Sequence, residues 1–152
     1  MELSHLDNQG AARMVDISSK PAVKRTAVAG SRIALQRETV RMIREGLAKK
    51  GDVLATARIA GICAAKRTSD LIPLCHNIEI DHVRVDFTVN DDSIEITTST
   101  ACTNKTGIEM EALTAAAVAA LTIYDMCKAV DNTMVVTEVA LIEKTKEETP
   151  AQ

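Results

Sequence analysis

One segment limits the possible folds of this chain more than any other. From Gly107 to about Ala129 the sequence is rich in alanine and, after its first residue, contains neither glycine nor proline. Alanine is the best intrinsic helix former, so the segment predicts one long helix. Thr106, with Glu109 three residues on, reads as a capping box at its start. Met110, Leu113, Ala117, Leu121 and Tyr124 would form an apolar stripe along it, and Asn132 would end it.

The flanking segments read mainly as strands. Val23 to Leu35 suits a strand. Ile78 to Val89 alternates between apolar and polar, with a phase slip at Asp81 and His82 that suggests a bulge. After the turn at residues 90–93, Ile94, Ile96, Thr98, Thr100 and Cys102 alternate again, so the two strands predict a hairpin. Met134 to Ile142 predicts a last strand. Two further helices are expected between the first strand and the hairpin. Arg37 to Leu47 has Val40, Ile43 and Leu47 at helical spacing. A second helix runs from an Asp52 N-cap to about Arg67.

The resulting order, βααββαβ, predicts an α+β fold: a ferredoxin-like antiparallel sheet with helices on one face. The other face would be left open, carrying Val and Ile, and would need a partner. The 152 residues suit one domain, with residues 1–22 as an irregular arm and residues 144–152 as a disordered tail.

Composition narrows the function. Net charge is −3, so no overall field draws the chain to nucleic acid. Its aromatic residues are Phe87 and Tyr124, too few to stack bases on a sheet. Basic residues cluster locally at Lys20, Lys24 and Arg25, at Lys49 and Lys50, and at Lys66 and Arg67, which suits a small anionic ligand. Cys63, Cys75, Cys102 and Cys127 match no metal-ligand spacing and read as free, buried thiols. No metal site and no cofactor box is expected. No run reaches the roughly 18 uncharged apolar residues that a membrane span needs. The first residues lack an apolar signal core, so a cytoplasmic protein is expected.

Several residues could carry chemistry. Lys50 precedes a predicted helix start, where free N–H groups favour anions; a solvated loop lysine reads equally simply. His76 follows the stiff run Asp70-Leu71-Ile72-Pro73-Leu74-Cys75 and could bind a ligand or play a structural part. Glu109 has an ordinary role in the capping box, whereas Glu111 has none. Asp125 and Lys128 are three apart on one helix face, either as an ordinary ion pair or as an acid/base pair. Glu109 and Asp125 lie roughly 24 Å apart on a straight helix, so one small molecule scarcely touches both. A non-catalytic binding module and an RNA-binding domain of the same topology stay open, with the missing aromatics weighing against the second.

Taken together, five segments resemble a known family. They are Met14-Val15-Asp16-Ile17-Ser18, Lys50 to Gly61 (KGDVLATARIAG), Asp70 to His76 (DLIPLCH), Lys105 to Leu113 (KTGIEMEAL) and Tyr124 to Val130 (YDMCKAV). The chain is similar to the cyclic pyranopterin monophosphate synthase family of molybdenum cofactor biosynthesis over about Met14 to Val136. The resemblance implies a lyase. Its substrate would be a cyclised GTP, 3′,8-cyclo-7,8-dihydroguanosine 5′-triphosphate, and its products cyclic pyranopterin monophosphate and pyrophosphate. It further implies no cofactor beyond magnesium accompanying the triphosphate. The assembly would be a homohexamer, a trimer of dimers, with active sites at subunit interfaces. By this resemblance Asp125, Lys128 and Lys50 are catalytic. Leu74, Cys75, His76, Met110, Glu111 and Glu109 bind substrate, and Arg25, Lys105 and Asp16 match further binding positions. Asn104 departs from the glycine of many members, and Ser69 from a bulkier residue.

Overall fold

The computed structural model describes residues 9–147. Its elements, in order, are β1 (Val23–Ala34), α1 (Arg37–Arg44), α2 (Val53–Ala65), α3 (Thr68–Leu71), β2 (His82–Val89), β3 (Ser93–Asn104), α4 (Glu109–Cys127) and β4 (Val135–Lys146). The four strands form one antiparallel sheet in the order β2-β3-β1-β4. This is the expected ferredoxin-like α+β arrangement with added helices. The described part of the arm, residues 9–22, holds no helix or extended strand.

α4 is the expected long helix, but its buried face differs from the expected stripe. Ala112, Ala115, Ala116, Ala119, Ala120, Ile123 and Cys127 are buried, while Leu121 is exposed and Met110, Leu113, Ala117 and Tyr124 are half-buried. Alanine's small side chain explains this, because it lets the helix backbone approach the sheet closely. Sheet hydroxyls then bond the helix directly. Ser31 Oγ donates to Ala116 O at 2.8 Å, Thr98 Oγ1 to Ala112 O at 2.8 Å and Thr100 Oγ1 to Ile108 O at 3.2 Å. These bonds satisfy hydroxyls that would otherwise be costly to bury. Gly61 gives α2 the same close approach: a Cβ there would meet Ala115 O at 3.1 Å and Val85 Cγ2 at 3.2 Å. By length and composition α4 could cross a membrane, but its alanine face is packed on β1 and β3.

Other expectations are corrected. The capping box does not form: Ile108 is the N-cap, without a side-chain cap bond, and Glu109 turns to Lys144 instead. The slip at Asp81 is the start of β2 rather than a bulge. Ile78 and Ile80 lie ahead of the strand and pack near Ile108 and Ala112. The bulges fall between β1 and β4, at Val28/Ala29 and Gly30/Arg32. α2 stops at Ala65 and the short α3 follows. β4 continues to Lys146, so residues 144–146 pair with β1 rather than forming a tail; residues 148–152 lie outside the described residues. The open sheet face carries Val28 and Ile142, as expected, among polar side chains such as Arg84, Thr88, Glu95 and Thr97. Exposed apolar side chains gather on the edge strand β4, at Val135, Val139, Leu141 and Ile142. Of the cysteines, Cys102 and Cys127 are buried, whereas Cys63 is exposed and Cys75 half-buried.

Candidate active site

The expected site residues gather at the two ends of α4. At the C-terminal end, Asp125 and Lys128 form the i,i+3 pair that their spacing predicts, Lys128 Nζ donating to Asp125 Oδ1 at 2.7 Å. Lys50 joins them from the α1–α2 loop. That loop is shaped by Gly46 and Gly51, whose φ values of 68° and 98° suit glycine. Asp52 closes it by accepting the Ala55 N–H at 2.9 Å as the N-cap of α2. Lys50 Nζ donates to Asp125 Oδ2 at 3.1 Å and to the Asp125 carbonyl at 2.8 Å. That carbonyl lies in the last turn of α4, where cations are favoured. The hydrogen bond from Lys128, then that from Lys50, holds the Asp125 carboxyl below the usual carboxylate range, and Asp125 in turn raises Lys128. All three side chains are about half exposed.

The N-terminal end of α4 borders a cleft of about 320 Å³. Its floor is Glu109, Met110 and Glu111; Leu74, Cys75 and His76 form one wall, and Val15, Ile17 and Lys20 of the arm form another. Glu111 is 3% exposed. Burial pushes its carboxyl up, and the neighbouring Glu109 adds to the shift. Burial also acts against the charge on Glu109, but the bond from Lys144 Nζ to Oε1, at 2.7 Å, more than offsets it, and this carboxyl stays low. Each glutamate keeps a buried Oε2 without a hydrogen-bond partner among the described residues. Glu109 folds back over Gly107, so a Cβ at 107 would collide with its carboxylate.

The other expected residues shape this cleft. His76 Nε2 lies 2.8 Å from Val15 O. A carbonyl only accepts, so Nε2 donates this bond. Burial, followed by Glu111 and Glu109, raises the Cys75 thiol, which argues against a thiolate nucleophile. Lys105 Nζ donates to Ser18 O at 2.8 Å, and Asp16 Oδ1 accepts the Ser18 N–H at 2.8 Å, so these two residues order the arm. Arg25 donates to the carbonyls of Asn104 and Lys105 at 3.1 and 3.2 Å, fixing the loop ahead of α4. Asn104 Oδ1 accepts the Lys105 N–H at 2.7 Å, a bond that glycine could not make.

Sequence reasoning missed Lys144, assigned to the tail, and did not single out Lys20 as a wall of the cleft. It also did not link Lys50 to Asp125. Among the described residues no group of three His, Cys, Asp or Glu side chains could hold a metal ion. The two ends of α4 stay roughly 24 Å apart.

The fold and these clusters define a class: a ferredoxin-like α+β protein with a charge-paired carboxylate and a separate carboxylate-lined cleft. The MoaC family model matches residues 14–147. The cyclic pyranopterin monophosphate synthase of Peptoclostridium acidaminophilum is 55% identical over 145 residues, covering 95% of this chain and 92% of that protein. Proteins of the same name from Heliobacterium modesticaldum and Thermomicrobium roseum are each 56% identical, over 94% of this chain and 91% and 87% of their own lengths. The chain belongs to the MoaC family.

Proposed function

We propose that this chain is a lyase that converts 3′,8-cyclo-7,8-dihydroguanosine 5′-triphosphate to cyclic pyranopterin monophosphate and pyrophosphate, an early step of molybdenum cofactor biosynthesis. The observation that carries the reading is the Asp125 carboxylate held between Lys50 and Lys128, in a chain whose relatives bear that synthase name. The cyclic phosphate forms when a ribose hydroxyl attacks the α-phosphorus and pyrophosphate leaves. Charge then grows on the leaving oxygens, where positioned ammonium groups act. Rearranging the purine-derived rings requires proton transfers, which Asp125 and a neighbouring lysine can perform. The guanine-like edge offers N–H donors, for which the unpartnered oxygens of Glu109 and Glu111 are natural acceptors. Magnesium enters with the triphosphate, as part of the substrate.

The active unit in this proposal is a cytoplasmic homohexamer, a trimer of dimers, with each site shared between subunits. Two observations support sharing. The glutamate end and the lysine end of α4 are too far apart for one small molecule. The edge strand β4 also exposes Val139, Leu141 and Ile142, which suits burial against another copy. Incubating the purified protein with the cyclised GTP and magnesium should yield cyclic pyranopterin monophosphate and pyrophosphate. Unchanged substrate would overturn the proposal and leave a ligand-binding module.

A further inference from the structure

Asp131 lies just past α4, in the loop to β4, and is 1% exposed. A carboxylate this deep is costly unless fully bonded. Its Oδ2 accepts the Gln36 N–H at 2.8 Å and the Thr39 hydroxyl at 3.1 Å. Its Oδ1 accepts the Thr133 N–H at 3.0 Å and the Thr133 hydroxyl at 2.8 Å. Its own N–H donates to Cys127 O at 3.1 Å and closes the end of α4. Burial works against the charge, but the bonds from Gln36, Thr133 and Thr39 prevail and keep the carboxyl low.

These bonds tie together the two elements that lead to the lysine cluster. α1 has 8 residues, and its N-cap Gln36 makes no side-chain cap bond. A helix this short does not hold on its own. Asp131 supplies both the missing acceptor and the favourable negative charge at its N-terminus, from 95 positions away. The chain leaving α1 delivers Lys50, and the last turns of α4 carry Asp125 and Lys128. Cys127 lies within reach of both groups: after burial, Asp131 raises its thiol and Lys50 lowers it.

We propose that Asp131 is the positioning residue of the Lys50–Asp125–Lys128 cluster: by capping α1 from the end of α4, it fixes the register in which Lys50 meets Asp125. Its catalytic consequence rests on the reaction proposed above, whereas its geometric consequence does not.

The test therefore has two readouts, the carbon-13 NMR titration of the Asp125 carboxyl and steady-state turnover of the cyclised GTP. Asp131→Asn places an amide N–H₂ among four donors. It should release Lys50 while Lys128 stays on its own helix. The Asp125 midpoint should rise toward the ordinary carboxylate value, and kcat should fall at least about tenfold. KM should change little. Thr39→Val removes one donor at nearly constant shape and should shift both readouts the same way by less. Ile94→Val, in the core, should lower the melting temperature without moving the Asp125 midpoint. If Asp131→Asn does not fold, Thr39→Val decides. An unchanged Asp125 midpoint in every variant that folds overturns the proposal. If the wild type yields no product, the reaction is wrong and the titration alone still decides the role of Asp131.

Discussion

At the start of α4, Glu111 is buried, its carboxyl is raised, and one of its oxygens lacks a partner. Near the end of the same helix, Asp125 is half exposed, its carboxyl is lowered, and both oxygens are bonded to lysines. The helix dipole alone would give the reverse, favouring an acid at the N-terminus and opposing one at the C-terminus. Burial outweighs it at one end and two ammonium groups outweigh it at the other. In the proposed reaction this difference separates recognition from chemistry. An unpartnered acceptor in a cleft is a socket for an N–H donor. A carboxylate already paired with two cations is a charge set arranged before any ligand arrives, and its exposure in one chain leaves room for a second chain.

The largest expected effect tests the chemical end. Asp125→Asn should lower turnover by about 10²–10⁴-fold, the range of a lost general acid–base group. It should leave the melting temperature almost unchanged, because exposed ion pairs add little to stability. His76→Ala should also be inactive, through the other end of α4. Mixing the two inactive proteins under subunit exchange should restore part of the activity, since some sites would then receive an intact Asp125 and an intact His76 from different chains. No recovery, with exchange confirmed by mass, would break the idea that the ends serve different sites.

A smaller effect on activity, accompanied by a gain in stability, is expected at the recognition end. Glu111→Gln should reduce kcat/KM by about 10–100-fold, because an amide cannot replace the charged acceptor. Its stability effect follows from linkage. The folded pKa of Glu111 lies above the unfolded value of about 4.3. Between the two values the native state holds a proton that the unfolded chain has released. Stability therefore falls as pH rises through that window, and the penalty stays at neutral pH. The neutral glutamine escapes it, so Glu111→Gln should melt above the wild type at pH 7, with the gain vanishing near pH 4. A variant that melts lower at pH 7 than at pH 4, relative to wild type, would mean that the native state stabilises the Glu111 charge rather than opposing it.

Much of this architecture was legible in the residues, and the misses have physical causes. The β2–β3 hairpin was visible because side chains on a strand alternate strictly, and the pattern in Ile94, Ile96 and Thr98 needs no tertiary information. α4 was visible by propensity, but its orientation was not. Leu121 outranks Ala116 in hydrophobicity, yet the face that meets the sheet is the alanine face, bonded by the hydroxyls of Ser31 on β1 and of Thr98 and Thr100 on β3. The Asp125–Lys128 pair could be read from spacing. Lys50 could not be linked to it, because 75 positions separate it from Asp125 and only the fold of the α1–α2 loop brings them together. Glu111 could be named as an acid without a local role, while its burial, in a cleft it shares with the arm and the Leu74–His76 segment, is a product of the tertiary fold.

Lys144 shows how finely the recognition end is balanced, and it carries the smallest expected effect. It sits on a stretch of β4 that polarity alone assigns to a tail, yet its ammonium reaches Glu109 Oε1 at 2.7 Å. That contact separates the two neighbouring glutamates, holding Glu109 low while Glu111 stays high. Lys144→Ala leaves Glu109 to the burial that already works against it. Its pKa should rise, and the two acids should then titrate closer together. The pair is partly solvent-exposed, so stability should fall by about 1 kcal/mol or less. Substrate affinity should weaken only a few-fold, since a carboxyl acceptor remains in place. Turnover should hold, because Asp125 lies at the other end of the helix. A fall in kcat as large as that of Asp125→Asn would show that Lys144 acts on the reacting atoms, and the division between a recognising end and a reacting end would have to be redrawn around it.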